Sequence, residues 1–304
     1  MPPAFALPDV LVLAAGGVVG EAWMNGVLAG IEDAAGVDFR RVETFVGTSA
    51  GAIVAARLVA GLAPRRPRER ATAGPAAAPP PSALAAAGRA AVRTAWSVSA
   101  PLTTAALAVG APAGALTRSL LLARVPAGRG SLDDVRRIAE RRGVRFDGRL
   151  RIVAVDRGSG RRVVFGAPGG PPASVGAAVA ASCAVPWVFA PVRIDGREYV
   201  DGGVWSLTNL DVAPAGRDTE VLCLSVTHSL RLALHDPRSA LRAATAVAAA
   251  AETHALTRRG ARVHTIGPDA DGAAAIGGRL MDSARAADAL AAGYRQGLRL
   301  GGGP

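Results

Sequence analysis

Val42 to Gly51 reads VETFVGTSAG and is followed at once by AIVAARLVAG, residues 52 to 61. A short apolar run, a turn of small residues and a helix-forming stretch predict a strand, a sharp turn and a helix, with Ser49 at the turn. Such a turn forces its central residue into a strained backbone conformation. Gly47 and Gly51 on either side permit the close chain approach it needs. The Ser49 hydroxyl is thereby set at a helix N-terminus, where free N–H groups and the helix dipole favour developing negative charge. A serine so placed is a candidate nucleophile, although Gly-x-Ser-x-Gly in a Gly- and Ala-rich chain is by itself a weak signal.

Working outward, Asp9 to Ala15 (DVLVLAA) has the continuous apolar character of a strand buried on both faces. Gly16-Gly17-Val18-Val19-Gly20 follows, and Glu21 to Ala34 is expected to be a helix with Trp23, Val27, Leu28 and Ile31 on one face. Strand, glycine loop and helix make an anion-binding arrangement. A dinucleotide fingerprint would need Gly-x-Gly-x-x-Gly and an acid ending the second strand; here position 15 is Ala and the second strand ends in GTSAG. For a serine hydrolase the same loop offers N–H donors to a tetrahedral oxyanion, each worth ~3 kcal/mol.

The chain has 304 residues, a half-apolar composition and a formal charge of +11. Every basic residue is arginine, and the arginines are scattered without an aromatic-studded basic motif. That pattern argues against nucleic acid as a partner and leaves peripheral contact with an anionic membrane open. Cys183 and Cys223 each sit in an apolar run, as suits buried reduced thiols better than a disulfide or metal site. Neither metal nor cofactor is expected. The N-terminus has no positively charged n-region, and no run of 18 apolar residues is free of Pro or charge. A cytoplasmic protein is the expectation, with contact at the inner membrane face left open.

Leu62 to Ser82 is rich in Pro, Ala and Arg and reads as a flexible loop. Ala83 to Ala123, broken by Pro101, Pro112 and Gly114, reads as two or three Ala/Leu-rich helices, either packed on the core or capping the site and meeting lipid through Arg89, Arg93 and Arg118. Ser131 to Arg142 is a well-signalled helix, with a Ser cap, acids in its first turn and arginines in its last. Arg151 to Val155 and Arg161 to Phe165 read as a hairpin or successive strands, and Ala177 to Ala184 as a small-residue helix stopped by Pro186. Asp195-Gly196 is a hairpin turn, and the strand after it ends at Asp201-Gly202-Gly203. Val221 to Val226 and Ala261 to Ile266 are further strands, Arg238 to Arg259 and Asp282 to Leu298 further helices. Strands alternating with helices predict a single three-layer α/β domain with a mostly parallel sheet and a helical insertion after the Ser49 helix.

GGVVG at 16 to 20, GTSAG at 47 to 51 and Asp201-Gly202-Gly203, in that order, make the chain resemble the patatin-like phospholipases. ASCAVPWVFAPVRIDGREYVDGG is the most specific part, and the likeness covers residues 9 to 61 and 150 to about 267. The resemblance implies a patatin fold that hydrolyses lipid acyl esters with a serine–aspartate dyad. Ser49 would be the nucleophile, Asp201 the general base, and the N–H groups of Gly16, Gly17 and Val18 the oxyanion hole. Gly20, Gly47, Gly51, Gly202 and Gly203 would support them. The chain departs from the family's G-G-G-x-R/K-G loop at Ala15 and at Val19, where the family carries a base. Two alternatives stand beside this reading: a lipid-binding or regulatory module with little catalysis, and a Ser-His-Asp esterase using His228. His235, His254 and His264 are weaker candidates for that third role.

Overall fold

In the computed structural model, which describes residues 5–68, 114–140, 143–228 and 238–303, the apolar runs pair into an eight-stranded sheet. Strand β1 (Val10–Leu13) is flanked in parallel by β2 (Thr44–Thr48) and β7 (Glu220–Leu224), with β3 (Leu150–Asp156) parallel beyond β2 and β8 (Arg262–Ile266) beyond β7. Antiparallel pairing enters at β4 (Arg162–Phe165), a hairpin with β3, and at the hairpin of β5 (Val192–Ile194) and β6 (Arg197–Asp201). The β5–β6 turn is built on two left-handed residues, Asp195 (φ +46°) and Gly196 (φ +72°), as the Asp-Gly pair predicts.

The register of β3 decides where the chain's second half meets its first. Ile152 and Val153 pair with Gly47 and Thr48 of β2 and also with Phe165 and Val164 of β4, so those strands occupy opposite edges. Ala154 and Val155 pair with Val163 and Arg162 of β4 and with Asp201 and Val200 of β6. β6 therefore takes over the edge of β3 at the point where β2 leaves it. Running antiparallel, β6 brings its last residue, Asp201, beside the end of β2.

Helices α1 (Gly17–Ala35), α2 (Ala50–Val59), α4 (Asp133–Glu140) and α5 (Val175–Ser182) cover one face of the sheet. The other face packs on α6 (Arg238–Arg258) through Leu256 and on α3 (Gly114–Arg124) through Leu122. The result is the mixed α/β, three-layer arrangement expected from the alternation. α7 (Ala270–Ile276), a short helix the sequence reading missed, leads to α8 (Ala286–Gly302). α8 lies against α1 at backbone contact: a Cβ on Gly30 would stand 2.2 Å from Tyr294 O, and one on Gly297 2.2 Å from Val27 O. Trp23 Nε1 donates to Gln296 Oε1 at 3.0 Å in the same seam. The C-terminal helix is thus part of the core around the site.

The structure differs from the sequence reading at three further places. α1 begins at Gly17, not Glu21, so most of the glycine loop is the first turn of that helix. Residues 62–68, read as a flexible loop, run along α1: Arg65 N donates to Asn25 Oδ1, its guanidinium pairs with Glu21, and Arg66 pairs with Glu32 and Asp33. Arg118, which the cap reading would send to lipid, is 2% exposed; its guanidinium lies 4.3 Å from the centre of the Trp205 ring and donates to Gly160 O. There it docks α3 by stacking and desolvated contact. Of the expected cap, residues 83–113 lie outside the described residues. Among the described residues, no helix is long and apolar enough to cross a membrane.

Candidate active site

Ser49 occupies the turn between β2 and α2 with φ +53° and ψ −118°, a conformation a non-glycine residue keeps only when its surroundings enforce it. The glycines around it are forced by proximity. A Cβ on Gly47 would lie 2.5 Å from Ala52 Cα, and one on Gly51 1.9 Å from Leu13 O. Side chains at the C-terminal end of α5, Ser182 and the capping Cys183, hold the strained peptide on both sides. Ser49 N donates to Ser182 Oγ at 2.8 Å, Ser182 Oγ donates to Val153 O at 2.6 Å, and Cys183 Sγ donates to Ser49 O at 3.3 Å.

Ser182 was visible in the sequence only as half of an Ala-Ser pair. Removing its hydroxyl orphans a buried N–H and a buried carbonyl, and each such loss costs roughly 1–3 kcal/mol. Ser182→Ala is therefore expected to lower the urea midpoint by an amount equivalent to about 2–3 kcal/mol. A midpoint equal to the wild type would mean that the bridge contributes nothing to the fold.

Asp201 ends β6, 1% exposed, and its N–H donates to Ala184 O at 2.9 Å. The chain turns away at once through Gly202–Val204, because a Cβ on Gly202 would stand 2.4 Å from Val153 O and 3.2 Å from Thr48 Cγ2. Gly203 N donates to Asp201 Oδ1 at 2.7 Å, whereas Oδ2 is buried with no hydrogen-bond partner among the described residues. Burial pushes the Asp201 carboxyl up to about 7, against the Ser49 hydroxyl and the Gly203 N–H, which favour the ionised form. Ser49 thus lies beside the carboxyl without closing a well-aligned bond to Oδ2.

The glycine loop stands on the other side of Ser49. Leu13 pairs with Gly47, so the residues after Leu13 rise alongside Thr48 and Ser49. Gly16 caps α1, and Gly17 is left-handed at φ +61°, with Leu280 O 2.5 Å from where a Cβ would be. Gly16 and Gly20 both face the Val226 methyl, 2.7 and 2.9 Å from their missing Cβ atoms. Among the described residues, no acceptor takes the N–H of Gly16, Gly17 or Val18. Ala15 is not among the left-handed residues, so its Cβ brings no left-handed backbone strain, and Val19 is wholly buried in the apolar core.

His228 and His254 are exposed, as is His264, which lies 3.5 Å from Glu220. None of these three bonds Ser49 or Asp201, and His235 lies outside the described residues. Cys183 and Cys223 are buried free thiols. Among the described residues, no group of three or more His, Cys, Asp or Glu could hold a metal ion.

A family model described as patatin-like phospholipase matches residues 11–214, more than half of the chain. The chain belongs to the patatin-like phospholipases, which places it among lipid acyl hydrolases. No curated protein matches the sequence significantly.

Proposed function

We propose that the protein is a serine carboxylic-ester hydrolase acting on lipid acyl esters through Ser49 and Asp201. The observation that carries this reading is the pairing of a strained serine at a helix N-terminus with a wholly buried carboxyl whose Oδ2 has no other partner. Asp201 Oδ2 takes the proton as Ser49 Oγ attacks the ester carbonyl. The oxygen of the tetrahedral intermediate receives the N–H groups of Gly16, Gly17 and Val18, strengthened by the N-terminus of α1. Asp201 returns the proton to the leaving alcohol, giving an acyl-enzyme. It then takes a proton from a water that attacks this ester, and the acid departs as Ser49 regains its hydrogen.

An ordinary carboxylate is too weak a base for this work. A carboxyl near 7 is matched to it, and burial supplies the change. With Val19 where the family carries a base, the glycine loop brings no cation of its own to the site, which favours esters with little charge near the carbonyl. Leu116, Leu120 and Leu121 on α3, 81%, 59% and 42% exposed, support peripheral contact with a lipid surface.

A fluorophosphonate probe tests the reading directly. Labelling is expected on the peptide containing Ser49, faster as pH rises through about 7 with the ionisation of Asp201. Folded protein that takes no label would favour a lipid-binding module in its place.

A further inference from the structure

The loop after Asp201 touches all three parts of the candidate site. Leu207 O accepts from Ala15 N at 2.8 Å, which fixes the start of the glycine loop. Asn209 Nδ2 reaches Thr48 Oγ1, next to Ser49, at 3.2 Å, Gly202 O, next to Asp201, at 3.3 Å, and Ser206 O at 2.6 Å. The orientation of this amide is determined by chemistry. Arg162 Nη1 lies 3.2 Å from Asn209 Oδ1, and a guanidinium can only donate, so the oxygen must face it and the NH₂ must face the site. Arg162 is itself held by Asp211 through two bonds of 2.6 Å.

Asn209 is wholly buried and left-handed at φ +48°, a conformation asparagine tolerates better than most residues. Its loop is anchored from α6, outside the stretch the family model matches. Glu252 Oε2 accepts from Thr208 Oγ1 at 2.5 Å and from Leu210 N at 2.8 Å, gripping the residues on either side of Asn209.

We infer that Asn209 is a positioning residue that sets the spacing of Ser49 and Asp201, and that Glu252 holds it in register from α6. The inference rests on the hydrolase reading above. Asn209 touches neither substrate nor reacting atoms. It joins the residue before the nucleophile to the residue after the base, so its loss loosens their distance while leaving the substrate surface unchanged. An error of about 1 Å in such a pair costs on the order of 100-fold in rate.

The test uses the full chain with a soluble p-nitrophenyl ester and the fluorophosphonate probe. Asn209→Gly removes the side chain and keeps the left-handed backbone accessible; Asn209→Asp keeps the size but, once ionised, has no donor. Both are expected to lower kcat and the labelling rate about 100-fold while KM stays within about twofold. Glu252→Ala is expected to lower kcat about tenfold, and Glu252→Gln, which keeps an acceptor oxygen, to restore it to near the wild-type value.

Wild-type kcat in folded Asn209→Gly would overturn the inference, as would a loss expressed in KM alone. If Asn209→Gly does not fold, the Glu252 pair decides, and equal kcat in Glu252→Ala and the wild type overturns it. A wild type that takes no label overturns the hydrolase reading and this role with it. A labelled wild type with an equally labelled Asn209→Gly overturns the positioning role alone.

Discussion

Replacing Ser49 by alanine is expected to lower ester hydrolysis by roughly 10,000-fold or more, because no neighbouring group can stand in as nucleophile. Thr48 Oγ1 is wholly buried and receives Asn209, and the Ser182 hydroxyl is committed to Ser49 N and Val153 O. The Cys183 thiol is buried, and desolvation first, then the negative charges of Asp201 and Glu21, push it well above the usual thiol range, so no thiolate is at hand. Folding should survive. Alanine carries the same Cβ as serine, so the strain at φ +53° is unchanged, and the backbone bonds to Ser182 and Cys183 remain. Initial rates on a p-nitrophenyl ester measure the loss, with thermal unfolding as the control. Full activity in Ser49→Ala would remove the nucleophile assignment. His228→Ala should behave as the wild type, since that side chain is exposed and unconnected to the site.

Ser49 could be read from the sequence because its geometry is local. A strand, a sharp turn at the serine and a helix lie within some twenty consecutive residues, and the steric demand for Gly47 and Gly51 is written beside the serine. Asp201 was legible only through its motif, since its nearness to Ser49 follows from a long-range register in which β6 replaces β2 on the edge of β3. No propensity encodes that exchange.

The support of the site was hidden for the same reason. Ser182 reaches a partner 133 residues away, Asn209 one 161 away, and Glu252 one 44 away. Single polar residues in loops and helices look alike in sequence whether they meet water or one another. Arg118 misled in the opposite direction: an arginine among apolar helices reads as a surface cation, yet stacking on Trp205 lets it be buried. The glycines at 26, 30, 293 and 297 had helical spacing throughout, but in a chain with 37 glycines that spacing did not stand out. Only the contact of α1 with α8 gives it meaning.

Asp201→Asn is expected to abolish hydrolysis and, at the same time, to make the protein more stable above pH 7. The carboxyl titrates at about 7 in the fold, against an ordinary value of 3.8. Between those two pH values the folded chain binds a proton that the unfolded chain has released, so stability falls as pH rises through the interval. The loss is complete above about 7, where the ionised group sits buried with only the Gly203 N–H firmly on it. Its size is on the order of 4 kcal/mol at most. Asparagine preserves the shape and the acceptor for Gly203 N–H but carries no charge, so it escapes the loss and can take no proton from Ser49. Urea unfolding of the two proteins at pH 4 and pH 8 should give similar stabilities at the lower pH and a clear advantage to Asp201→Asn at the higher. A variant less stable than the wild type at pH 8 would mean that the fold favours the carboxylate, and would leave the basicity assigned to Asp201 without a physical source. The expected exchange of activity for stability is what a base poised by burial requires, because the desolvation that makes Asp201 want a proton is the same term that weakens the fold when the proton is absent.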